Sequence, residues 1–347
     1  MAESDLHRAS RAIPHGGNLH EAARRYGIAH DAWLDLSTGI NPHGYPVPPV
    51  PAKAWRRLPD DGDALAECAT RYYHARAIEN VLPVAGSQAA IRALPALLPR
   101  ANVGVAPLTY GEYAPAFERH GHHAVPLDIN GTTLATELTH LIVANPNNPT
   151  AQRVSTARLL DWHAQLDARG GTLIVDEAFA DAASGETLAP HAHRRGLVVL
   201  RSVGKFFGLA GVRAGFVLAE AGFIGRLRDA LGAWTVSGPA RHAVMAAFAD
   251  REWQHMMRAR LATDSQRLTD LLRAQRFDVR ATPLFVWSAD SRAHALHEAL
   301  ARRGIWTRYF PVPPSVRFGL PASEAEWSQL AAALRESLME IETAHVS

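Results

Sequence analysis

Leu197-Val198-Val199-Leu200-Arg201-Ser202-Val203-Gly204-Lys205-Phe206-Phe207-Gly208 joins a four-residue apolar run to a lysine flanked by glycines. A run this short and this continuous reads as a strand buried on both faces. The same pattern recurs on either side of it. Towards the N-terminus lie Val81–Ala85, leading into a helical stretch Gln88–Leu98, then Asn102–Ala106, Leu141–Ala144 ahead of a helix near Ser155–Arg169, and Thr172–Val175; towards the C-terminus lies Ala214–Leu218. Buried strands punctuated by helices predict an α/β unit whose mostly parallel, mixed sheet is covered on both faces. After Gly238-Pro239 the texture changes to a long helical pattern from Arg241 to Gln275. It is followed by strand-like Phe277–Arg280 and Leu284–Trp287, a helix near Arg292–Arg303, a strand Ile305–Phe310 and a helix near Ser323–Met339, which predict a smaller α+β unit. The run Pro42–Pro51 carries five prolines and reads as an extended arm. The expected division is an N-terminal arm and substrate segment over 1–50, a large domain over 51–240 and a small C-terminal domain over 241–347.

Composition narrows the function classes. With 36 basic and 34 acidic residues, a formal charge of +2 offers no surface for nucleic acid or membrane. The single cysteine, Cys68, excludes an internal disulfide and a Cys-based zinc site, and residues 1–30 interleave charges with no continuous apolar core of a leader; a cytoplasmic chain is expected. His120-Gly121-His122-His123 and His191-Ala192-His193 lack a carboxylate or cysteine at ligand spacing, so they are expected to be solvated surface and no metal site is expected.

Only two of the 36 basic residues are lysines, Lys53 and Lys205. Where arginine supplies the ordinary positive charge, a lysine at a strand exit invites a chemical reading, because its amine can lose a proton and attack an aldehyde. Phe206 after Lys205 and Val199 in the place of an earlier glycine exclude a Walker phosphate loop. Asp176, at the exit of Thr172–Val175, delivers a carboxylate to the same sheet edge, where open α/β sheets bind ligands. An aspartate there could keep the pyridine nitrogen of pyridoxal 5′-phosphate protonated. Glu177 follows on the opposite side of the pleat and is expected to be structural. Asn148, in the turn Asn145-Pro146-Asn147-Asn148-Pro149, could donate to the ring's phenolic oxygen, and Tyr110 could stack on the ring. Gly86, Ser87 and Gln88 sit between a strand and a helix start, a natural anion site, which Ser202 and Arg213 could complete.

In their order along the chain, Gly86-Ser87-Gln88, Tyr110, Asn148, Asp176, Ser202 with Lys205, and Arg213 resemble the cofactor set of the fold-type-I pyridoxal-phosphate enzymes, the aspartate aminotransferase superfamily. The resemblance implies pyridoxal 5′-phosphate as cofactor, Lys205 as the amine that holds it, Asp176 on the pyridine nitrogen, and Arg317, in Ser315-Val316-Arg317-Phe318-Gly319, on the substrate carboxylate. It also implies a homodimer with active sites at the subunit boundary. Two departures count against a plain aminotransferase: Phe179 stands where many have tyrosine, and Leu58-Pro59 stands where histidinol-phosphate aminotransferases tend to have Tyr-Pro.

His15-Gly16-Gly17-Asn18 and Leu34-Asp35-Leu36-Ser37-Thr38-Gly39-Ile40-Asn41-Pro42 resemble the opening of the cobalamin-pathway threonine-phosphate decarboxylases. That resemblance implies a carboxy-lyase acting on O-phospho-L-threonine to give (R)-1-amino-2-propanol O-2-phosphate. His15, Gly16 and Asn18 would then meet the substrate phosphate, with Thr38 and Gly39 bordering its α-carbon. The alternative is an aminotransferase for a phosphorylated amino acid such as histidinol phosphate. A cofactor-sensing regulator is disfavoured, since residues 1–40 are too short for a DNA-binding module.

Overall fold

The structure, a computed structural model, describes residues 15–131, 133–183 and 185–344; the first fourteen residues of the charged N-terminal stretch lie outside them. The described chain opens with α1 (Leu19–Tyr26) and a two-residue strand, β1 (Leu34–Asp35). An extended stretch then leads through α2 (Ala52–Arg56) and α3 (Leu65–Tyr72) into a seven-stranded sheet. Its strands are β2 (Val81–Val84), β3 (Asn102–Val105), β4 (His123–Pro126), β5 (His140–Ala144), β6 (Thr172–Asp176), β7 (Leu197–Ser202) and β8 (Gly215–Leu218). They lie in the order β2-β8-β7-β6-β5-β3-β4, with only β8 running against the rest. The helices between them are α4 (Ser87–Ala93), α5 (Tyr113–Glu118) and α6 (Thr156–Asp167).

The unbroken apolar runs have a simple cause. Alternate residues of β5, β6 and β7 enter two separate cores: Leu141, Val143, Leu173, Val175, Leu197 and Val199 pack on one face, and Ile142, Ala144, Ile174, Val198 and Leu200 on the other. Carrying that alternation past the strand ends places Asp176 and Ser202 on the second face, and Glu177 and Arg201 on the first. Glu177 there meets the Arg201 guanidinium, which also binds Asp181, and takes the Leu188 amide at 2.7 Å. It serves the core rather than the cavity, as the pleat requires.

Beyond the sheet, α7 (Ala221–Leu231), α8 (Gly238–Ala249) and the long α9 (Arg251–Ala274) lead to a four-stranded antiparallel sheet. It is built from β9 (Arg280–Thr282), β10 (Phe285–Ala289), β12 (Arg308–Pro311) and β13 (Pro314–Phe318), in the order β12-β13-β10-β9, and is backed by α10 (Ala293–Arg302) and α11 (Glu324–Ala344). The strand expected over Ile305–Phe310 is two strands: β11 (Ile305–Trp306) pairs in parallel with β1, and β12 turns into the antiparallel sheet. The helical pattern Arg241–Gln275 is likewise broken at Asp250, whose carboxylate caps α9 by accepting from the Trp253 amide. The reading of all the clustered histidines as solvated surface fails at His122, which is buried, its Nε2 2.9 Å from the Pro95 carbonyl oxygen.

Candidate active site

The carboxyl ends of β5, β6 and β7 converge on one cavity. Gly86, Ser87, Gln88, Tyr110, Asn148, Asp176, Ser202, Lys205 and Arg213 all line it, with Tyr113, Ala144, Ala178 and Phe179. Those three strand ends, the loop between β3 and α5, the turn into α4 and the loop before β8 therefore bring together every residue the sequence proposed for the cofactor.

Lys205 follows β7, and its loop is held from outside by the arm. The Asn41 amide donates to the Lys205 carbonyl at 3.0 Å, the Asn41 side chain to the Phe206 carbonyl at 2.8 Å, and the Tyr45 amide to the Phe207 carbonyl at 2.8 Å. The Lys205 Nζ lies 3.5 Å from the Thr38 carbonyl oxygen and 5.3 Å from the centre of the Phe179 ring. Burial, reinforced by the charges of Arg317 and Arg213 and opposed by Asp176, lowers the Lys205 pKa to about 8. The amine is thus neutral, and nucleophilic, at a pH where a solvated lysine is not.

Asp176 is buried, which pushes its carboxyl up from its ordinary value. Three neighbours act against that: the Tyr113 hydroxyl donates to Oδ2 at 2.8 Å, the Ala178 amide donates to Oδ1 at 3.0 Å, and Lys205 attracts the negative charge. Tyr113 was not foreseen. Its only sequence signal was the three-residue spacing from Tyr110, which puts both rings on one turn entering α5, edge to face at 5.4 Å.

On the opposite wall, Gly86 has φ +77°, and a Cβ there would stand 2.6 Å from Arg213 Nη2. Glycine is required both for the turn and to admit the guanidinium. Arg213, Ser87, Ser202 and the open turn make a compact group of donors. Tyr110 bonds to Gln88 Oε1 at 2.9 Å, which fixes its ring at the rim. The donor set fits pyridoxal phosphate: an amine for the aldehyde, a buried carboxylate for the pyridine nitrogen and a guanidinium with hydroxyls for the phosphate.

Arg317 reaches the site from β13, a strand the sequence reading did not contain. Its Nη1 donates to Asn148 Oδ1 and its Nη2 to the Ser37 carbonyl. Asn148 therefore keeps its amide nitrogen as a donor. Directly across the β12–β13 ladder from Arg317 stands Arg308, also unforeseen. Burial lowers the pKa of both arginines, and in Arg317 the neighbouring Arg308 charge adds to it while Asp35 opposes. Both remain cations.

The N-terminal segment joins here. Ser37 is fully buried; its Oγ accepts from the Gly17 amide at 2.7 Å and donates to Asp35 at 2.6 Å. A Cβ on Gly16 would lie 2.3 Å from the Ser37 carbonyl oxygen, so only glycine permits this approach. His15 arrives beside Tyr110, with ring centres 6.0 Å apart. Thr38 and Gly39 lie next to Lys205 and Phe179. Asn18, expected as a phosphate donor, is instead placed as the cap of α1, accepting from the Glu21 amide while its own amide donates to the Glu21 carboxylate at 2.8 Å.

The model of the family "Aminotransferase class I and II" matches residues 55–334. The threonine-phosphate decarboxylase of Pseudomonas aeruginosa is 49% identical over 324 residues, 93% of this chain and 97% of that protein. That of a Sinorhizobium species is 41% identical, covering 94% of this chain and 98% of its own length. Histidinol-phosphate aminotransferase from Sinorhizobium meliloti, solved in complex with pyridoxal-5′-phosphate, superposes with a TM-score of 0.82 at 19% identity, over 97% of this chain and 99% of its own. With a family model spanning most of its length and two full-length relatives above 40% identity, the chain belongs to the class I and II aminotransferase family.

Proposed function

We propose that this chain is a pyridoxal-phosphate-dependent carboxy-lyase that converts O-phospho-L-threonine to (R)-1-amino-2-propanol O-2-phosphate, a step of cobalamin biosynthesis. The observation that carries the substrate class is the antiparallel register that sets Arg308, half-buried, beside the buried Arg317 on one face of β12 and β13. A simple amino acid offers one carboxylate. Two neighbouring guanidiniums, one of them buried, suit a guest with a carboxylate and a second anion. The decarboxylase relatives, at 49% and 41% identity, support the same reading.

Pyridoxal phosphate, when bound, supplies a conjugated ring that accepts the electron pair of a bond broken at the substrate's α-carbon. The protein decides which bond that is. Arg317 binds the carboxylate, while Arg308, His15 and the Gly16-Gly17 turn receive the phosphate. Anchoring the substrate at both ends would fix its rotation about the α-carbon, so these residues would select which of its bonds is presented for cleavage. The proposed pose presents the bond to the carboxylate. In this reading Lys205, beside Thr38 and Phe179, is the candidate to return a proton to the α-carbon, with a water as the alternative. Phe179 presents no hydroxyl to the site. Incubating the holoenzyme with O-phospho-L-threonine tests the reading: carbon dioxide released without an acceptor supports it, and turnover that requires 2-oxoglutarate identifies an aminotransferase.

Two further expectations concern the cofactor. Tyr113→Phe leaves Asp176 without one of its two donors and should weaken retention of pyridoxal phosphate about fivefold, corresponding to ~1 kcal/mol for a lost buried hydrogen bond. Dialysis against free cofactor, followed by absorbance, measures this. The second follows from the lowered pKa of Lys205. Because the neutral amine attacks, the rate of colour development on adding pyridoxal phosphate to cofactor-free protein should rise about tenfold per pH unit below pH 8 and level off above it. A rate still climbing at pH 10 would show an ordinary, solvated lysine.

The assembly is expected to be a homodimer. Trp55, Leu58 and Trp234 are 69%, 67% and 56% exposed, on segments packed together where Gly238 meets the Ala54 carbonyl and Arg241 binds Asp61 and Asp63. An apolar cluster of this kind suits a second copy. Sedimentation should give a dimer mass, and Trp55→Glu with Leu58→Glu should give a monomer. Among the described residues no helix is long and apolar enough to cross a membrane, and a cytoplasmic location is the corresponding expectation.

A further inference from the structure

Glu112 precedes the first residue of α5, two residues after Tyr110, and its side chain, 5% exposed, makes no capping bond to the helix. A carboxylate so deeply buried needs cationic or donor partners. Arg92 is one, at 3.5 Å, but its own side chain is 56% exposed. The closer partner comes from the other end of the chain: His15 Nε2, at 2.9 Å. The segment that delivers His15 is fastened elsewhere. β1 lies on β11, Arg25 and Tyr26 bond to Glu298 on α10, and the Gly16-Gly17 turn is seated on Ser37. The His15–Glu112 contact is therefore where this segment is tied across the cavity rim to the wall that carries Tyr110.

We infer that Glu112 is a positioning residue for substrate recognition, holding the His15 ring at the rim so that its second nitrogen, Nδ1, is presented to the substrate's phosphate. The inference rests on the phosphorylated-amino-acid reading above and deepens it. A half-exposed histidine held only by its own chain would sample several rotamers, and each would have to be abandoned on binding. Engaging Nε2 with a buried carboxylate fixes the plane of the ring and sets the two nitrogens to different tasks, one on the protein and one on the guest. Glu112 itself touches neither cofactor nor substrate; it acts through His15.

The test compares binding of O-phospho-L-threonine with that of L-threonine to the holoenzyme, read as the change in the cofactor's absorption spectrum, in the parent and in Glu112→Gln, Glu112→Asp, His15→Ala, Arg92→Ala and the Glu112→Gln/His15→Ala pair. Glu112→Gln should weaken O-phospho-L-threonine about tenfold, the size of a charge-assisted hydrogen bond, and leave L-threonine within about twofold. Glu112→Asp should recover part of the loss, and Arg92→Ala should be close to the parent. The double variant should be no weaker than the worse single one, because both substitutions remove the same contact. If the parent prefers the phosphorylated substrate and Glu112→Gln keeps that preference, or if the two losses simply add, the role of Glu112 is overturned while the substrate reading stands. A parent with no preference for the phosphorylated compound overturns the substrate reading and the inference with it. Loss of binding to both compounds in Glu112→Gln marks a structural residue, which also overturns it.

Discussion

Lys205→Ala should yield a folded protein that never develops the visible absorption of bound pyridoxal phosphate and decarboxylates on the order of 10⁵-fold more slowly, the scale of advantage that a positioned amine holds over one in solution. The size of the effect follows from where the lysine sits. Of the two lysines in the chain, Lys53 is exposed on α2, whereas Lys205 lies just beyond β7 and lines the cavity. Among the described residues no second lysine lines the cavity. Its loop is held by backbone and side-chain bonds from Asn41 and Tyr45 that do not involve the amine, so the alanine variant should keep the parent's thermal transition to within a few degrees. Circular dichroism and absorption spectra, recorded on the same sample, separate loss of chemistry from loss of fold. A variant that still binds the cofactor with the parent's spectrum would remove Lys205 from its assigned place.

Asp176→Asn should cost on the order of 10³-fold in kcat, comparable to removing one preorganised electrostatic group from a buried site. The amide is nearly the same size: its one oxygen can accept from the Ala178 amide, and its NH2 can donate to the Tyr113 oxygen in place of the bond that Asp176 accepted there. What it lacks is the negative charge beside Lys205 and the bound ring. Cofactor should therefore still bind, with a shifted absorption maximum, while turnover collapses. The effect should appear in kcat more than in KM, since the substrate's anionic groups are held by other residues. Equal kcat in Asp176→Asn and parent would contradict the role given to this carboxylate.

These two residues were legible in the sequence because the physics that hides a strand also advertises its exit. β6 and β7 are buried on both faces, so their apolar runs stop abruptly at Asp176 and near Ser202, and a charge or a lysine just beyond stands out. β13 offered no such contrast. It begins at Pro314, alternates Ser315, Val316, Arg317 and Phe318 over only four more residues, and carries a buried arginine in mid-strand, so its pattern resembles a loop. Missing β13 also hid Arg308, whose significance lies in its register opposite Arg317. Tyr113 and Glu112 escaped for a related reason: α5 is a six-residue helix with Pro115 in its first turn, too short to reveal which side faces the site. The spacing of Asn18 to Glu21 also carried the signature of a helix cap, a role the sequence reading did not give it. The break at Asp250 carried its own signal too, an aspartate followed by Arg251-Glu252-Trp253, hidden by the helix formers on either side.

The central claim is that the bond from the α-carbon to the carboxylate breaks and the α-hydrogen stays. Running the holoenzyme on O-phospho-L-threonine in deuterated water and taking the mass and proton spectra of the product tests it most directly. The prediction is a phosphorylated amino alcohol lighter than the substrate by one carbon dioxide, with the original α-hydrogen retained and a single solvent deuteron beside it. A product that keeps its carboxylate, with the amino group lost or the α-hydrogen exchanged for deuterium, would contradict it.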